Sequence, residues 1–284
     1  MLRLAGTRLL DDRDYPAVDA ALAADPVHCC MVSARVEATG LDPRRLGGEL
    51  WAVDSRPLWS GRLQGLCFAG PNLIPLSGTP AILRSFAERA LSRARMCSSV
   101  VGPAEQVLGI WEELVSEWGP PRDVRSPQPL LALQRPPAVR CDPQVRRVMP
   151  HELDRYLPAA VAMFREEVGV DPRAGGNGMN YRTRVAELIQ SGRAFARFER
   201  GQVVYKAEIG ALSSRVGQIQ GVWVHPDRRG EGIGTAGTAA VASVLVRELA
   251  RTASLYVNAY NSPALAVYDK IGFRRVGEYA TVLL

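Results

Sequence analysis

Between Val222 and Thr235 the chain reads Val-Trp-Val-His-Pro-Asp-Arg-Arg-Gly-Glu-Gly-Ile-Gly-Thr, and no other stretch limits its possible folds so tightly. A β-branched and aromatic run stops at Pro226, and glycines then lead straight into the small residues Thr235, Ala236 and Gly237. The pattern predicts strand, tight turn and helix in immediate succession. Glycines let a backbone approach a ligand closely, and free N–H groups at the positive end of a helix can wrap a pyrophosphate. Arg229 adds a charge able to pair with phosphate.

A dinucleotide fingerprint is the rival reading, because Gly232-Ile233-Gly234-Thr235-Ala236-Gly237 matches G-x-G-x-x-G. That motif needs its first glycine directly after a buried strand and an acid about 20 residues on for the ribose. Here the mostly polar stretch from His225 to Glu231 intervenes, and the next predicted strand, Leu255–Tyr260, carries no acid. The match is accidental.

The chain has 284 residues, a length that suggests two domains of about 150 residues each. A seam lies at Arg135-Pro136-Pro137-Ala138-Val139-Arg140-Cys141-Asp142-Pro143, where three prolines break helix and ladder alike. It divides the chain into 1–139 and 140–284. The second half reads as a strand at Val145–Val148, a helix from His151 to Val168 interrupted by Pro158, and a loop at Gly175-Gly176-Asn177-Gly178. A helix at Tyr181–Gln190 follows, then strands at Ala194–Phe198, Val203–Leu212 and Gln218–Val224. The small-residue helix runs to about Arg251, and Leu255–Tyr260, Pro263–Ile271 and Phe273–Leu284 read as strand, helix and strand. This order fits α+β architecture with a mixed, mostly antiparallel sheet flanked by helices. The first half repeats it loosely: helix Tyr15–Ala23, strands Gly48–Val53 and Leu63–Phe68, helix Ile82–Arg93, strand Ser98–Gly102 and helix Ala104–Glu117. The repetition suggests an internal duplication.

Composition removes other classes. With 47% hydrophobic and 23% charged residues the chain is an ordinary globular one. The net charge of +6 comes from 33 Arg and two Lys in scattered pairs, without the basic blocks of a nucleic-acid patch. No run is apolar for the ~20 residues a bilayer requires, so no membrane partner is expected. Asp11, Asp12, Arg13 and Asp14 occupy the place of a signal peptide's apolar region, and a cytoplasmic location is expected. Cys29, Cys30, Cys67, Cys97 and Cys141 form no C-x-x-C pair, and His28, His151 and His225 do not cluster with them. Reduced thiols and no metal are expected.

The Val222–Thr235 segment resembles the acyl-CoA pyrophosphate loop of the GNAT superfamily of N-acyltransferases, R/Q-x-x-G-x-G/A, with Arg229, Gly232 and Gly234 in place. Downstream, Asn261, Ala264, Tyr268, Gly272 and Phe273 fill the family's N-x-x-A-x-x-x-Y-x-x-x-G-F pattern. The resemblance covers roughly residues 142–284, and the first half resembles a degenerate domain of the same kind, as in tandem acyltransferases. Its counterpart of the loop, Pro75-Leu76-Ser77-Gly78-Thr79-Pro80, lacks Arg and all but one glycine, so no cofactor is expected there.

The resemblance implies an N-acetyltransferase that moves the acetyl group of acetyl-CoA, its co-substrate, to a primary amine on a small molecule, peptide or protein. It implies that Gly230, Gly232, Ile233, Gly234 and Thr235 cradle the diphosphate, and that Val222, Trp223 and Val224 offer main-chain N–H groups where the strands splay, Val224 above all. Asn261 would contact the pantetheine arm or simply start a helix. Tyr268 would protonate the leaving thiolate, a phenol of pKa ~10 being nearly matched to a thiol. Glu208, an acid in an apolar strand, is a candidate general base whose pKa desolvation should raise. Glu166 and Glu167 would wall the acceptor site, and His225 beside the loop reads as part of the turn. The alternative is a catalytically silent acyl-CoA-binding sensor. Acceptor and oligomeric state are unreadable from the sequence.

Overall fold

The computed structural model describes residues 6–54, 63–176, 178–249 and 252–284. Asn177 of the predicted loop and Arg251, the predicted end of the small-residue helix, lie outside them. The chain divides into two compact units. Unit 1 takes residues up to Leu130 together with Tyr256–Asn261 and Arg275–Leu284; unit 2 takes Leu131–Leu255 and Ser262–Arg274.

Unit 1 runs β1 (Arg8–Leu9), α1 (Tyr15–Ala24), α2 (Cys30–Thr39), α3 (Pro43–Leu46), β2 (Glu49–Asp54), β3 (Leu63–Ala69), β4 (Leu73–Ser77), α4 (Pro80–Leu91), β5 (Ser99–Pro103), α5 (Ala104–Trp118) and β6 (Asp123–Leu133). Its sheet order is β1-β2-β3-β4-β5, then the last strand of the chain, then β6. Alternation decides which way each strand faces. Leu50, Ala52, Leu66, Phe68, Ile74 and Leu76 join a core with Val18, Leu22 and Val32 of α1 and α2. Trp51, Val53, Cys67 and Leu73 point the other way, toward Ile82, Phe86, Val107, Ile110 and Leu114 of α4 and α5. With both faces covered, a strand such as Leu73–Ser77 shows no polar alternation to the reader of the sequence.

Unit 2 runs β7 (Arg146–Arg147), α6 (Leu153–Val168), α7 (Gly178–Gln190), β8 (Ala194–Glu199), β9 (Gln202–Leu212), β10 (Val216–Val224), α8 (Ile233–Val244), β11 (Thr252–Tyr256) and α9 (Ser262–Ile271), and the chain ends in β12 (Arg274–Leu283). The strands order as β11-β10-β9-β8-β7. β10 and β11 are parallel and the other pairs antiparallel. Tyr156, Ala160, Val185 and Ile189 of α6 and α7 pack on Ala194, Ala196, Val203 and Trp223. The opposite face takes α8, whose Thr238 hydroxyl bonds the Tyr205 hydroxyl at 3.1 Å.

Four expectations are corrected. β11 covers Thr252–Tyr256 rather than 255–260, because Thr252, Ala253 and Ser254 pair with Val216, Gly217 and Gln218. Beyond it the N–H groups of Val257 and Ala259 donate to the carbonyls of Pro129 and Pro127 in unit 1. α8 ends at Val244 and gives way to a π-helical turn at 245–249. Pro75, Leu76 and Ser77, taken as loop, belong to β4. α6 runs unbroken through Pro158.

Candidate active site

The site of unit 2 begins with two irregularities in β10. Gln220 pairs with Glu208 and Trp223 with Lys206, so Gly221 and Val222 together oppose Ala207 alone. This is a β-bulge, and Gly221 takes it at φ +57°. β10 meanwhile keeps β11 as partner only as far as Gln218. His225 N–H donates to Val204 C=O on β9 at 3.0 Å. Since successive residues of a strand face opposite edges, the Val224 N–H points the other way, to the side that β11 has left.

After β10 the chain makes a short turn at Pro226–Arg228, with the His225 ring accepting from Asp227 N–H at 3.3 Å. His225 is thus part of the turn, as its position suggested. Gly230 and Gly232 follow at φ +82° and +80°, and a Cβ at either would meet nothing within 4 Å. The left-handed backbone, not crowding, is what calls for glycine there. Gly232 is the N-cap of α8 and brings no side chain to the cap. The first N–H groups of the helix, from Ile233 through Thr235, therefore lack intrahelical partners at its positive end. Gly234 and Gly237 let α8 lie close, since a Cβ would come 3.3 Å from Val224 and 2.8 Å from the Tyr205 ring. Ile233 buries its side chain, so only its main chain faces outward.

The arginines of the turn are matched by acids. Arg229 places Nη2 2.7 Å from Glu166 Oε2 on α6 and Nε 3.1 Å from Val224 C=O. Arg228 bonds Glu231 at 2.8 Å and also pairs with Glu199. Local positive charge is thus largely cancelled, and what the turn offers an anion is backbone. Glu166 also accepts the Trp223 indole N–H at 3.0 Å, which anchors β10 to α6; Trp223 itself is core.

Glu208 departs from expectation. It is buried with Lys206, whose Nζ lies 2.8 Å from Oε1, and both belong to the same face of β9. Tyr156 donates to Oε1 at 3.1 Å and Gln220 to Oε2 at 3.4 Å. Burial pushes its pKa up, but the Lys206 charge and the hydrogen bonds outweigh it and the net shift is downward. A carboxylate so held is a weaker base than the sequence led us to expect. Lys206 was missed as its partner, although the i, i+2 spacing within one strand announces a shared face.

Tyr268 is 7% exposed on α9, with its ring edge-on to Phe273 at 5.9 Å. Burial first, and then the negative charge of Glu167, holds its pKa well above the ordinary phenol value. The near-match to a thiol expected for an exposed phenol does not hold in the free protein; the hydroxyl stays protonated. Tyr268 contributes to the electrostatics of Tyr205. Tyr205 is three residues from Glu208 on β9, hence on the other face. Asn261 falls in unit 1, where its N–H donates to Asn258 C=O at 2.9 Å. Among the described residues no group of three or more His, Cys, Asp or Glu could hold a metal ion. No described helix is long and apolar enough to cross a membrane.

The architecture is α+β, each unit a mixed, mostly antiparallel sheet flanked by helices: the tandem GNAT fold. Residues 201–282 match the family model described as FR47-like protein, and residues 48–156 match a domain of unknown function, DUF4081. The carboxy-terminal region thus carries an FR47-like GNAT domain, preceded by a DUF4081 region. Over 63 residues the chain is 41% identical to mycothiol acetyltransferase of Kocuria rhizophila, covering 22% of this chain and 21% of that protein, so the match spans about a fifth of the relative's length. Among solved structures, a Drosophila protein superposes with a TM-score of 0.68 at 13% identity, over 98% of each chain. A tandem GNAT protein from the clavulanic acid biosynthesis pathway gives 0.52 at 16% identity, again over 98% of each. A GCN5-related N-acetyltransferase from Sphaerobacter thermophilus gives 0.55 at 19%, over 97% of this chain and 93% of that one. At these identities the structures speak to fold.

Proposed function

We propose that unit 2 is an acetyl-CoA-dependent N-acetyltransferase acting on a primary amine. One observation carries the reading: β10 parts from β11 after Gln218, turns the Val224 N–H into the opening, and runs directly into the uncapped start of α8. An amide aimed where charge develops is the main requirement of acyl transfer. The turn also fits a diphosphate, since Gly230 and Gly232 keep an open, left-handed backbone beside unpartnered N–H groups. Acetyl-CoA supplies an activated thioester. Gly230, Gly232, Ile233, Gly234 and Thr235 hold its diphosphate by their main chains, and Arg229 flanks it after exchanging its contact with Glu166. Val222, Trp223 and Val224 present the strand edge to the acyl and pantetheine portion.

In this reading Tyr268 gives its proton to the leaving sulfur. A phenol with a raised pKa is a reluctant acid toward a free thiol of pKa near 8.5, so the transfer needs a thiolate that shares the same buried surroundings. Glu208 acts on the incoming amine only through its network, and water can carry the proton outward. The reaction expected belongs to a cytoplasmic enzyme. Incubation with acetyl-CoA and a broad amine panel, followed by thiol release, tests the activity; turnover with at least one amine is the expected result.

The second reading, an acyl-CoA sensor, draws on one feature: of the two candidate catalytic side chains, Glu208 is locked to Lys206 and Tyr268 is buried with its pKa raised. Tight acetyl-CoA binding without turnover on any amine decides for the sensor.

A further inference from the structure

Unit 1 carries a cavity of about 600 Å³, well within the range of small-molecule sites. It opens where β4 and β5, paired in parallel at Leu73 and Val100, have diverged toward Ser77 and Pro103. Room for it comes from the sequence. α1 turns Ala17, Ala20, Ala21 and Ala24 toward the cavity at helical spacing, while Val18 and Leu22 on its other side enter the core. Leu63, Leu66 and Leu76 supply an apolar floor.

The wall is fixed in place. Tyr279 O–H donates to His28 C=O at 2.6 Å, and the His28 ring packs where a Cβ on Gly277 would come within 2.3 Å of Nε2. Asp25 holds the same histidine, with Nδ1 2.8 Å from Oδ2. Cys29 beside it keeps its proton, burial pushing the thiol up to about 12. Three of the polar groups in the lining are acceptors. Gln106 Oε1 is buried without a hydrogen-bond partner among the described residues, Glu105 precedes it, and Asp25 stands at the rim. A buried acceptor without a donor costs free energy until something supplies one.

We propose that this cavity is a second ligand site, separate from the acyl-CoA turn of unit 2, for a small molecule with a primary ammonium on a compact apolar body. The ammonium donates to Gln106 Oε1 with the carboxylates of Glu105 and Asp25 nearby, and the apolar body lies against the leucines and alanines.

Calorimetry on the full chain with benzylammonium as probe, and benzyl alcohol as its neutral counterpart, tests this. Saturable binding of the ammonium, at least tenfold weaker for the alcohol, is expected. Gln106→Leu should weaken it by about tenfold, the scale of one hydrogen bond to a charged group. Ala21→Phe should fill the cavity and abolish it, and acetyl-CoA affinity should stay unchanged in both variants. No saturable binding of benzylammonium overturns the proposal, and so does binding that survives in Gln106→Leu, a change of similar volume that keeps the fold even if Ala21→Phe does not. Because acetyl-CoA affinity and thiol release are read separately, failure here leaves the function proposed for unit 2 untouched, and the converse holds.

Discussion

Unit 1 and unit 2 both join a parallel strand pair briefly and then part it, but they leave the strand in different ways. In unit 2, β10 exits through a turn with two left-handed glycines and an N-cap without a side chain. In unit 1, β4 exits through Gly78 and Thr79 directly into Pro80, which removes one N–H from the first turn of α4. Gly78 has no left-handed backbone, and a Cβ there would meet Ile82 at 2.8 Å. The same architecture thus makes an open glycine turn once and a packed corner once. The strands before the exits differ too: β9 buries Lys206 and Glu208 beside the bulge, where β3 has Leu66 and Cys67 beside its own.

The largest effect should come from that charge pair. Lys206→Met strands a buried carboxylate and should cost unit 2 about 3–5 kcal/mol, read by denaturant unfolding. Lys206→Met with Glu208→Leu should recover most of it, making β9 resemble β3. A single variant as stable as the parent would show the pair to be dispensable. Next, Gly232→Asp sets a carboxylate and a strained backbone at the cradle and should weaken acetyl-CoA binding on the order of 100-fold, about 2.7 kcal/mol. Gly78→Asp should lower melting temperature instead and leave acetyl-CoA affinity alone. Tyr268→Phe should lower turnover by roughly 100- to 10,000-fold at unchanged acetyl-CoA affinity, as removal of a general acid does. Loss of folding would assign the ring to packing alone. The smallest effect is on pH. Arg146 holds Glu152 down to about 2 from an ordinary 4.5. A depressed pKa gives stability that is present above pH 4.5 and fades as pH falls toward 2. Glu152→Gln should flatten that acid limb.

Legibility followed what each region asks of its sequence. The glycine turn was readable because left-handed turns select glycine and a close helix selects small residues, so Gly230, Gly232, Gly234 and Gly237 left a trace in the chain. β11 was misplaced because its pairing residues Thr252, Ala253 and Ser254 are small and fully enclosed, with no alternation to mark them. β4 was missed because a strand covered on both faces looks like any apolar run, and β6 because its first half is exposed and polar and prolines at 127 and 129 interrupt the run. The state of Glu208 depends on Lys206, Tyr156 and Gln220, and Tyr156 and Gln220 come from other elements that only the fold assembles. The protonation of Tyr268 likewise reflects burial and Glu167, which no local motif encodes.

Peptide-resolved hydrogen exchange with and without saturating acetyl-CoA shows whether the glycine turn of unit 2 holds the diphosphate. The amides of residues 229–236, with those around Val224, should exchange more slowly in the presence of ligand, while residues 77–83 at the corner of unit 1 should not change. Unchanged exchange at 229–236 under saturation, or protection at 77–83 in its place, would contradict the account.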